Sequence, residues 1–252
     1  MLYKAKSLKG YGLDSLDGTI GSVDGFYFDD KHWTVRYLVA ETPGWLTGRE
    51  VLLSPHSLTS VDEGRHRIVV ELTKAEIEAA PSSEAHLPVS RQFEANYCGY
   101  YGWPQYWGGP YMWGPTPFLV RDRRKETAKP EDKKQESHLR STAAVSGYTI
   151  EAKDGEIGHI DDFIIDDRTW AIRYLVAATH NWWPGKKVLL ATRWIESVNW
   201  ADSKVRVKVT REAIRNAPEY SEDGPLAYEY EVSLHRFHKV PGYWEHEAAV
   251  RS

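Results

Sequence analysis

Aspartates gather at equivalent places in the two halves of this sequence and are the first candidates for chemistry. Several carboxylates close together supply the oxygen ligands that Ca²⁺ or Mg²⁺ prefers. Aspartate in a hairpin turn also accepts backbone hydrogen bonds without any metal. We interpret these residues as turn residues and predict no metal site and no cofactor. They are Asp24, Asp29 and Asp30 in the first half, and Asp161, Asp162, Asp166 and Asp167 in the second.

An arginine recurs between apolar residues in two similar stretches, WTVRYLVA at 33–40 and WAIRYLVA at 170–177. A guanidinium inside such a strand needs an acidic partner. We therefore predict structural ion pairs rather than a substrate clamp for Arg36 and Arg173. The candidate acidic partners are Asp17 and Asp24 in the first half, and Asp154 and Asp161 in the second.

Other reactive residues give weaker patterns. His235 and His238 are one helical turn apart and His246 follows, which would permit a shared metal. We interpret all three as surface histidines, and Cys98 as a packed thiol because no matched base is identifiable near it. The sequence contains no GxxxxGK(S/T), GxSxG, HExxH or CxxC pattern. We predict no catalytic residues and a protein that is not an enzyme.

Aromatic residues are the best candidates for binding. The chain has 11 Trp and 15 Tyr, a content that either fills cores or marks protein-docking surfaces. The alternative is that the rings cover the sheets and hold the two halves together. The candidate protein-binding residues are Trp45, Trp103, Tyr106, Trp107, Trp182, Trp183, Tyr243 and Trp244.

An internal repeat positions all of these residues. Adding 137 to a position in the first half gives its counterpart in the second without a gap, as Gly10 to Gly147 and Pro104 to Pro241 illustrate. About one third of the aligned positions are identical, which is far above chance. The repeat therefore predicts that each half of the chain forms one structural unit, followed by a tail that is similar in the two halves.

Within each repeat, short β-rich runs separated by turn residues predict a mainly β fold with short helices. Asp17-Gly18 predicts a hairpin turn, and Thr73 with Glu76 predicts a capped helix that Pro81 ends. Aromatic residues at helical spacing predict a helix in each tail, over 89–101 and 226–238. We expect two small antiparallel β-barrels in tandem, each followed by a helical aromatic tail.

The predicted domains are a first repeat with its tail at 1–107 and a second at 144–252. Between them, the sequence predicts a linker at 108–143. The first part of the linker is rich in Gly, Pro and aromatic residues, and the rest is rich in charged residues. The net charge of −4 argues against a nucleic-acid partner. No apolar run has the length of a membrane span, and the single cysteine suits a reducing cytoplasm.

The order of motifs in each repeat resembles the PRC-barrel domain. The motifs are a glycine turn, Asp-Gly, Ile-Gly, an Asp-Asp turn, a (V/I)RYLV strand, a VLL strand and a closing TxxxI helix. The resemblance covers 7–81 and 144–218. This domain occurs in the H subunit of the photosynthetic reaction centre and in a ribosome-maturation factor. It implies a six-stranded barrel per repeat and a role in docking on other proteins, without catalytic residues.

We therefore expect a cytoplasmic, non-enzymatic adaptor whose partners are other proteins, with self-association as a second mode. The competing hypothesis is a small-ligand or divalent-ion sensor, or an unrecognised enzyme, that uses a cleft between the repeats.

Overall fold

The computed structural model describes residues 1–46, 50–82, 89–121, 138–179, 186–222, 226–245 and 247, which are mainly β-strand with short helices. The strands are β1 (Leu2–Lys4), β2 (Gly12–Ser15), β3 (Gly18–Asp29), β4 (Thr34–Glu41), β5 (Val51–Leu53), β6 (Leu58–Asp62), β7 (Arg67–Val70), β8 (Leu139–Ser141), β9 (Thr149–Ala152), β10 (Gly155–Asp166), β11 (Ile172–Ala178), β12 (Lys187–Ala191), β13 (Ile195–Asn199) and β14 (Lys204–Val207). The α-helices are α1 (Ala5–Leu8), α2 (Lys74–Ala79), α3 (Arg91–Tyr101), α4 (Thr142–Val145), α5 (Arg211–Arg215) and α6 (Tyr228–Phe237).

The chain divides into two compact units, and the residues that belong to each unit differ from those of the predicted domains. The first unit contains Ala5–Ala143 and Asp167–Ala171. The second contains Met1–Lys4, Ala144–Asp166 and Ile172–Ser252. The N-terminal strand is therefore assigned to the unit built mainly from the second repeat, and much of the predicted linker is part of the first unit.

The first unit is built on a seven-stranded sheet of order β5-β4-β3-β2-β7-β6, with β8 paired to β3. β3 is twelve residues long and bends at two register shifts, so different parts of one edge pair with β2 and with β8. The residues of β4 are buried on both faces from Thr34 to Ala40, which explains its near-continuous apolar sequence.

The second unit repeats this plan. Its sheet has the order β12-β11-β10-β9-β14-β13, and β1 pairs with β10. β10 is again twelve residues long and carries comparable register shifts. Each unit therefore has seven strands, six from its own repeat and one that lies at or just before the start of the other repeat.

The prediction of two small antiparallel barrels is confirmed only in part, because the fold is mainly β but differs from such barrels in two respects. The β2–β7 and β9–β14 pairs run parallel, because the preceding hairpin returns the chain in the same direction as β2 or β9. Neither strand path closes among the described residues. In the first unit, β5 has three residues and is followed at once by the 3₁₀ helix Pro55–Ser57, which redirects the chain.

Local signals place α2 and the two tail helices where the sequence predicts them. Thr73 caps α2, and Glu76 returns a hydrogen bond to the Thr73 backbone, so the capping box is complete. Thr210 caps α5 without such a return bond, since Ala213 stands in place of the glutamate. The tail helices α3 and α6 lie within the predicted ranges. No helix in the described part of the chain is long and apolar enough to cross a membrane.

Candidate functional site

Arg36 lies at the centre of a buried charged cluster in the first unit. Its side chain is almost completely buried, and its Nε donates to Asp29 Oδ2 at 2.6 Å. A second nitrogen donates to the Met112 carbonyl at 2.7 Å. The rings of Tyr106 and Trp113 lie 3.9 and 4.6 Å from Cζ, measured to the ring centroids. The guanidinium is thus bound by one carboxylate, one carbonyl and two aromatic rings.

Asp29 is the carboxylate that neutralises this arginine. Although burial opposes its charge, Arg36 and hydrogen bonds from His32 hold the pKa of Asp29 below its usual range. The hairpin explains the pairing, because Asp29 lies opposite Thr34 and Phe28 opposite Val35. Asp29 was predicted to be a solvated turn residue, which was wrong, since it is 1% exposed.

Helix α3 adds a buried carboxylate to the cluster. Glu94 is 0% exposed, accepts from the Tyr106 hydroxyl at 2.7 Å and accepts from Arg91 at 2.9 Å. Burial raises its pKa to about 7. Tyr106 therefore joins two charges, because its ring covers Arg36 and its hydroxyl binds Glu94. This arrangement fixes the tail to the sheet.

The second unit contains the same four residues at the repeat positions. Arg173 donates to Asp166 Oδ2 at 2.6 Å through one nitrogen, and its Cζ lies 3.8 Å from the Tyr243 ring. Glu231 accepts from the Tyr174 hydroxyl at 2.9 Å, and burial raises its pKa. We call these the Asp–Arg–Tyr–Glu clusters; their members are Asp29, Arg36, Tyr106 and Glu94 in the first unit, and Asp166, Arg173, Tyr243 and Glu231 in the second.

The second cluster has an additional acidic partner. Arg173 also donates to the Glu247 carboxylate, whereas the corresponding arginine in the first unit uses the Met112 carbonyl. Glu247 lies in the C-terminal segment, so each arginine reaches a residue well beyond its own strand. No sequence pattern indicates this contact, because Glu247 is 74 positions away.

The ion-pair partners predicted from the sequence were wrong. Asp17 accepts from the Lys74 backbone at 2.9 Å, and Asp154 accepts from the Arg211 backbone at 2.7 Å. Both aspartates occupy the first hairpin turn of their repeat, which lies beside the start of α2 or α5. Asp24 pairs with Lys9 at 3.0 Å and Asp161 with Lys187 at 2.8 Å.

Most of the predicted docking aromatics pack within their own unit. Trp103 and Tyr106 are buried, and the Trp45 indole donates to the Ile20 carbonyl at 2.9 Å. This is the alternative in which the rings cover the sheets. Trp107, Tyr243 and Trp244 are partly exposed. Trp182 and Trp183 lie outside the described residues.

The histidines and the cysteine are also structural. His235 was predicted to lie at the surface but is 4% exposed, with Nε2 3.0 Å from the Tyr174 hydroxyl and Nδ1 3.1 Å from the Pro241 carbonyl. Burial lowers its pKa and that of His238. Burial raises the pKa of the Cys98 thiol to about 12. His246 is outside the described residues, which contain no group of three potential ligands able to hold a metal ion.

The sequence did not indicate that the C-terminal ends of β3 and β10 pair with strands from elsewhere in the chain. On β3, Tyr27–Asp29 pairs with β8, with Asp29 opposite Leu139. On β10, Ile164–Asp166 pairs with β1, with Asp166 opposite Leu2. We call these two edges the strand slots. Each slot ends at the aspartate that binds the cluster arginine, so the same residue contributes its backbone to strand pairing and its carboxylate to the core.

Comparison with known families adds one observation. Residues 13–77 match the PRC-barrel domain. The match begins in β2, ends in α2 and includes both Asp29 and Arg36. It therefore contains the first strand slot but not the tail that supplies Tyr106 and Glu94. Among curated proteins, none is significantly similar to this chain.

Proposed function

We propose that this protein is a non-enzymatic adaptor built from two PRC-type modules in tandem, acting in a reducing cytoplasm. The PRC-barrel match supports a protein-interaction role for the first repeat. The second repeat is assigned the same role because its sheet order reproduces that of the first and its cluster residues recur at the same offset.

The observation that carries the proposal is strand addition. Each sheet accepts a three-residue strand from outside its repeat through backbone pairing, at Tyr27–Asp29 in one unit and Ile164–Asp166 in the other. Main-chain pairing at a sheet edge is an established way for one protein segment to bind another. The sheet edges of this fold therefore bind extended segments, which in this chain are β8 and β1.

One partly exposed tryptophan in each unit marks a proposed contact surface for other proteins. Trp107 lies against Arg91, whose Cζ is 4.2 Å from the ring centroid. Its repeat counterpart Trp244 packs edge to face on Tyr228 at 5.4 Å. Both rings are held in place by neighbours while part of each surface remains accessible. Large, pre-ordered aromatic side chains of this kind dominate the energy of protein interfaces.

Capture from the native host tests the adaptor role. Immobilised wild-type chain is compared with a Trp107→Ala/Trp244→Ala variant, and the bound proteins are identified and then rebound as purified components. We expect a purified partner to lose at least about tenfold in affinity for the variant. Trp200→Ala is the matched control, since Trp200 packs on Tyr148 outside both tails. A wild-type chain that binds no protein directly would exclude this function.

A further inference from the structure

Each sheet is completed by a short strand that lies at or just before the start of the other repeat in the sequence. β1 lies at the start of the first repeat but pairs with β10 in the second unit. β8 precedes the second repeat but pairs with β3 in the first unit. The two strands are themselves repeat counterparts, because adding 137 to Leu2 gives Leu139. Equivalent strands therefore occupy equivalent slots, each on the opposite unit.

Both strands are well fitted to their slots. Tyr3 is 6% exposed in β1 and Leu139 is 9% exposed in β8. Lys4 pairs with Glu222 at 3.5 Å, and Arg140 with Asp30 at 3.2 Å, so each strand also carries an ionic contact. Removal of either strand would leave backbone N–H and C=O groups unpaired beside buried residues.

This arrangement means that neither half of the sequence completes a unit alone. The first half (residues 1–121) supplies β1 and most of the first unit, while the second half (residues 138–252) supplies β8 and most of the second. The covalent connection is the sixteen-residue segment 122–137. The strand pairing requires both halves to be present.

We propose that a second copy of this chain can also fill these slots, and that two copies join by exchanging halves when the connector does not favour the closed monomer. The first half of one copy pairs with the second half of the other, and the reverse pair forms as well, so every strand pairing of the monomer is kept. This inference rests on the proposed function, because it assigns the strand slots a specific occupant.

Connector length sets the balance between the two forms. A connector that spans the two halves holds them at an effective concentration in the millimolar range, which favours the closed monomer at micromolar protein. A connector too short to span the two halves in the closed form removes that advantage. The same pairing then forms between two chains.

Shortening the connector is therefore the first test. Deleting residues 126–135 from the full chain alters none of the described residues. We expect the mass in solution to be twice the mass of one shortened chain and to stay so at low micromolar concentration. A chain with ten Gly and Ser residues substituted at 126–135 is the control and is expected to be monomeric. A shortened chain that stays monomeric with an unchanged melting temperature would overturn the proposal.

Complementation provides a second test that does not depend on the connector. Tyr3→Pro disrupts β1, and Arg140→Pro disrupts β8 at the equivalent position. When the two variants are refolded together, an exchanged dimer contains one pair of halves in which β1 and β8 are both intact. The first half of that pair comes from the Arg140→Pro variant and the second half from the Tyr3→Pro variant. We expect differently tagged variants to co-purify several-fold more after joint refolding than after mixing of separately refolded proteins. Equal, background-level co-purification in both samples would contradict exchange.

The outcomes separate this inference from the adaptor role. A heterologous partner bound through Trp107 and Trp244, with no exchanged dimer in either experiment, leaves the adaptor role intact and rejects the exchange. An exchanged dimer formed by a chain that binds no other protein supports the exchange and rejects the adaptor role.

Discussion

At the level of single residues, the clusters show how a carboxylate is kept inside an aromatic core. Glu94 has no solvent exposure, so its ionised form is disfavoured, and the hydrogen bonds from Arg91 and Tyr106 offset only part of that cost. The cluster therefore holds Glu94 close to its protonation equilibrium at neutral pH, with a pKa of about 7. Stability should depend on pH through this residue.

Replacement of Glu94 by Gln should change that dependence. Since the folded-state pKa is raised from 4.5 to about 7, the folded protein binds more protons than the unfolded chain in this window. The Glu94 contribution to the free energy of unfolding therefore falls as pH rises from 4.5 to 7. One pKa unit is about 1.4 kcal/mol, so Glu94→Gln should gain on the order of 2 to 3 kcal/mol relative to wild type between pH 5 and pH 8.

Urea denaturation of both proteins at several pH values measures this difference. The comparison is needed because burial lowers the pKa of His56 to about 4, so His56 stabilises the fold above pH 6.5 and loses that contribution as pH falls towards 4. His56 is present in both proteins, and its effect cancels in the difference. Glu231→Gln should show the same direction. A difference that does not vary with pH would contradict the assignment.

The sequence was sufficient to predict an ion pair for Arg36 but not to predict the residues that surround it. The position of Arg36 between apolar residues predicted a structural ion pair, and Arg36 does pair with a carboxylate. Choosing the carboxylate required the hairpin register, which is shifted by a bulge between Tyr27 and Phe28. An unshifted register places Gly25 opposite Arg36. A bulge of this kind leaves no reliable sequence signal, so Asp29 was predicted to be exposed to solvent.

At the level of elements, the long strands β3 and β10 depend on one glycine each. Gly21 has φ +144°, and a Cβ on it would overlap the Glu41 carbonyl oxygen. Gly158 occupies the equivalent position against the Ala178 carbonyl. The neighbouring backbone approaches so closely that only glycine fits. This close approach occurs where each strand shifts its register against β2 or β9.

Alanine at either glycine should therefore be strongly destabilising. We expect Gly21→Ala and Gly158→Ala each to lower the free energy of unfolding by at least about 2 kcal/mol, because backbone must move to admit the methyl group. Gly25→Ala on the same strand is the control, since no described atom lies within 4 Å of the position that a Cβ would take there, and it should change stability by less than about 0.5 kcal/mol. Equal effects at Gly21 and Gly25, measured by chemical denaturation, would refute the steric argument.

The elements that the sequence predicted are those with strong local signals. The Asp17-Gly18 turn, the Thr73 cap and the tail helices each depend on residues a few positions apart. β1 and β8 were missed because a strand of three residues shows no alternation. Their partners lie more than 100 residues away, so no local pattern records the pairing.

At the level of the whole molecule, those two short strands decide how the chain is divided. The repeat boundaries predict two domains and assign β1 to its own repeat, whereas β1 pairs with β10. The crossed pairing of β1 and β8 makes the stability of each unit depend on residues that lie at or just before the start of the other repeat. A sequence change near the N-terminus should therefore act on the second unit, and hydrogen exchange can localise such an effect.

Replacing Leu2–Lys4 by Gly-Ser-Gly tests this dependence directly. The substitution removes the buried Tyr3 ring and the Lys4–Glu222 pair, and Gly and Ser have low strand propensity. The slot at Ile164–Asp166 then loses its partner strand, so a peptide covering 160–167 should lose protection by at least about tenfold in exchange rate. A peptide covering β2 and the start of β3 should keep its protection. Loss of protection in β2 rather than in β10 would show that the N-terminal strand supports its own repeat, and would exclude the crossed pairing on which the exchange of halves depends.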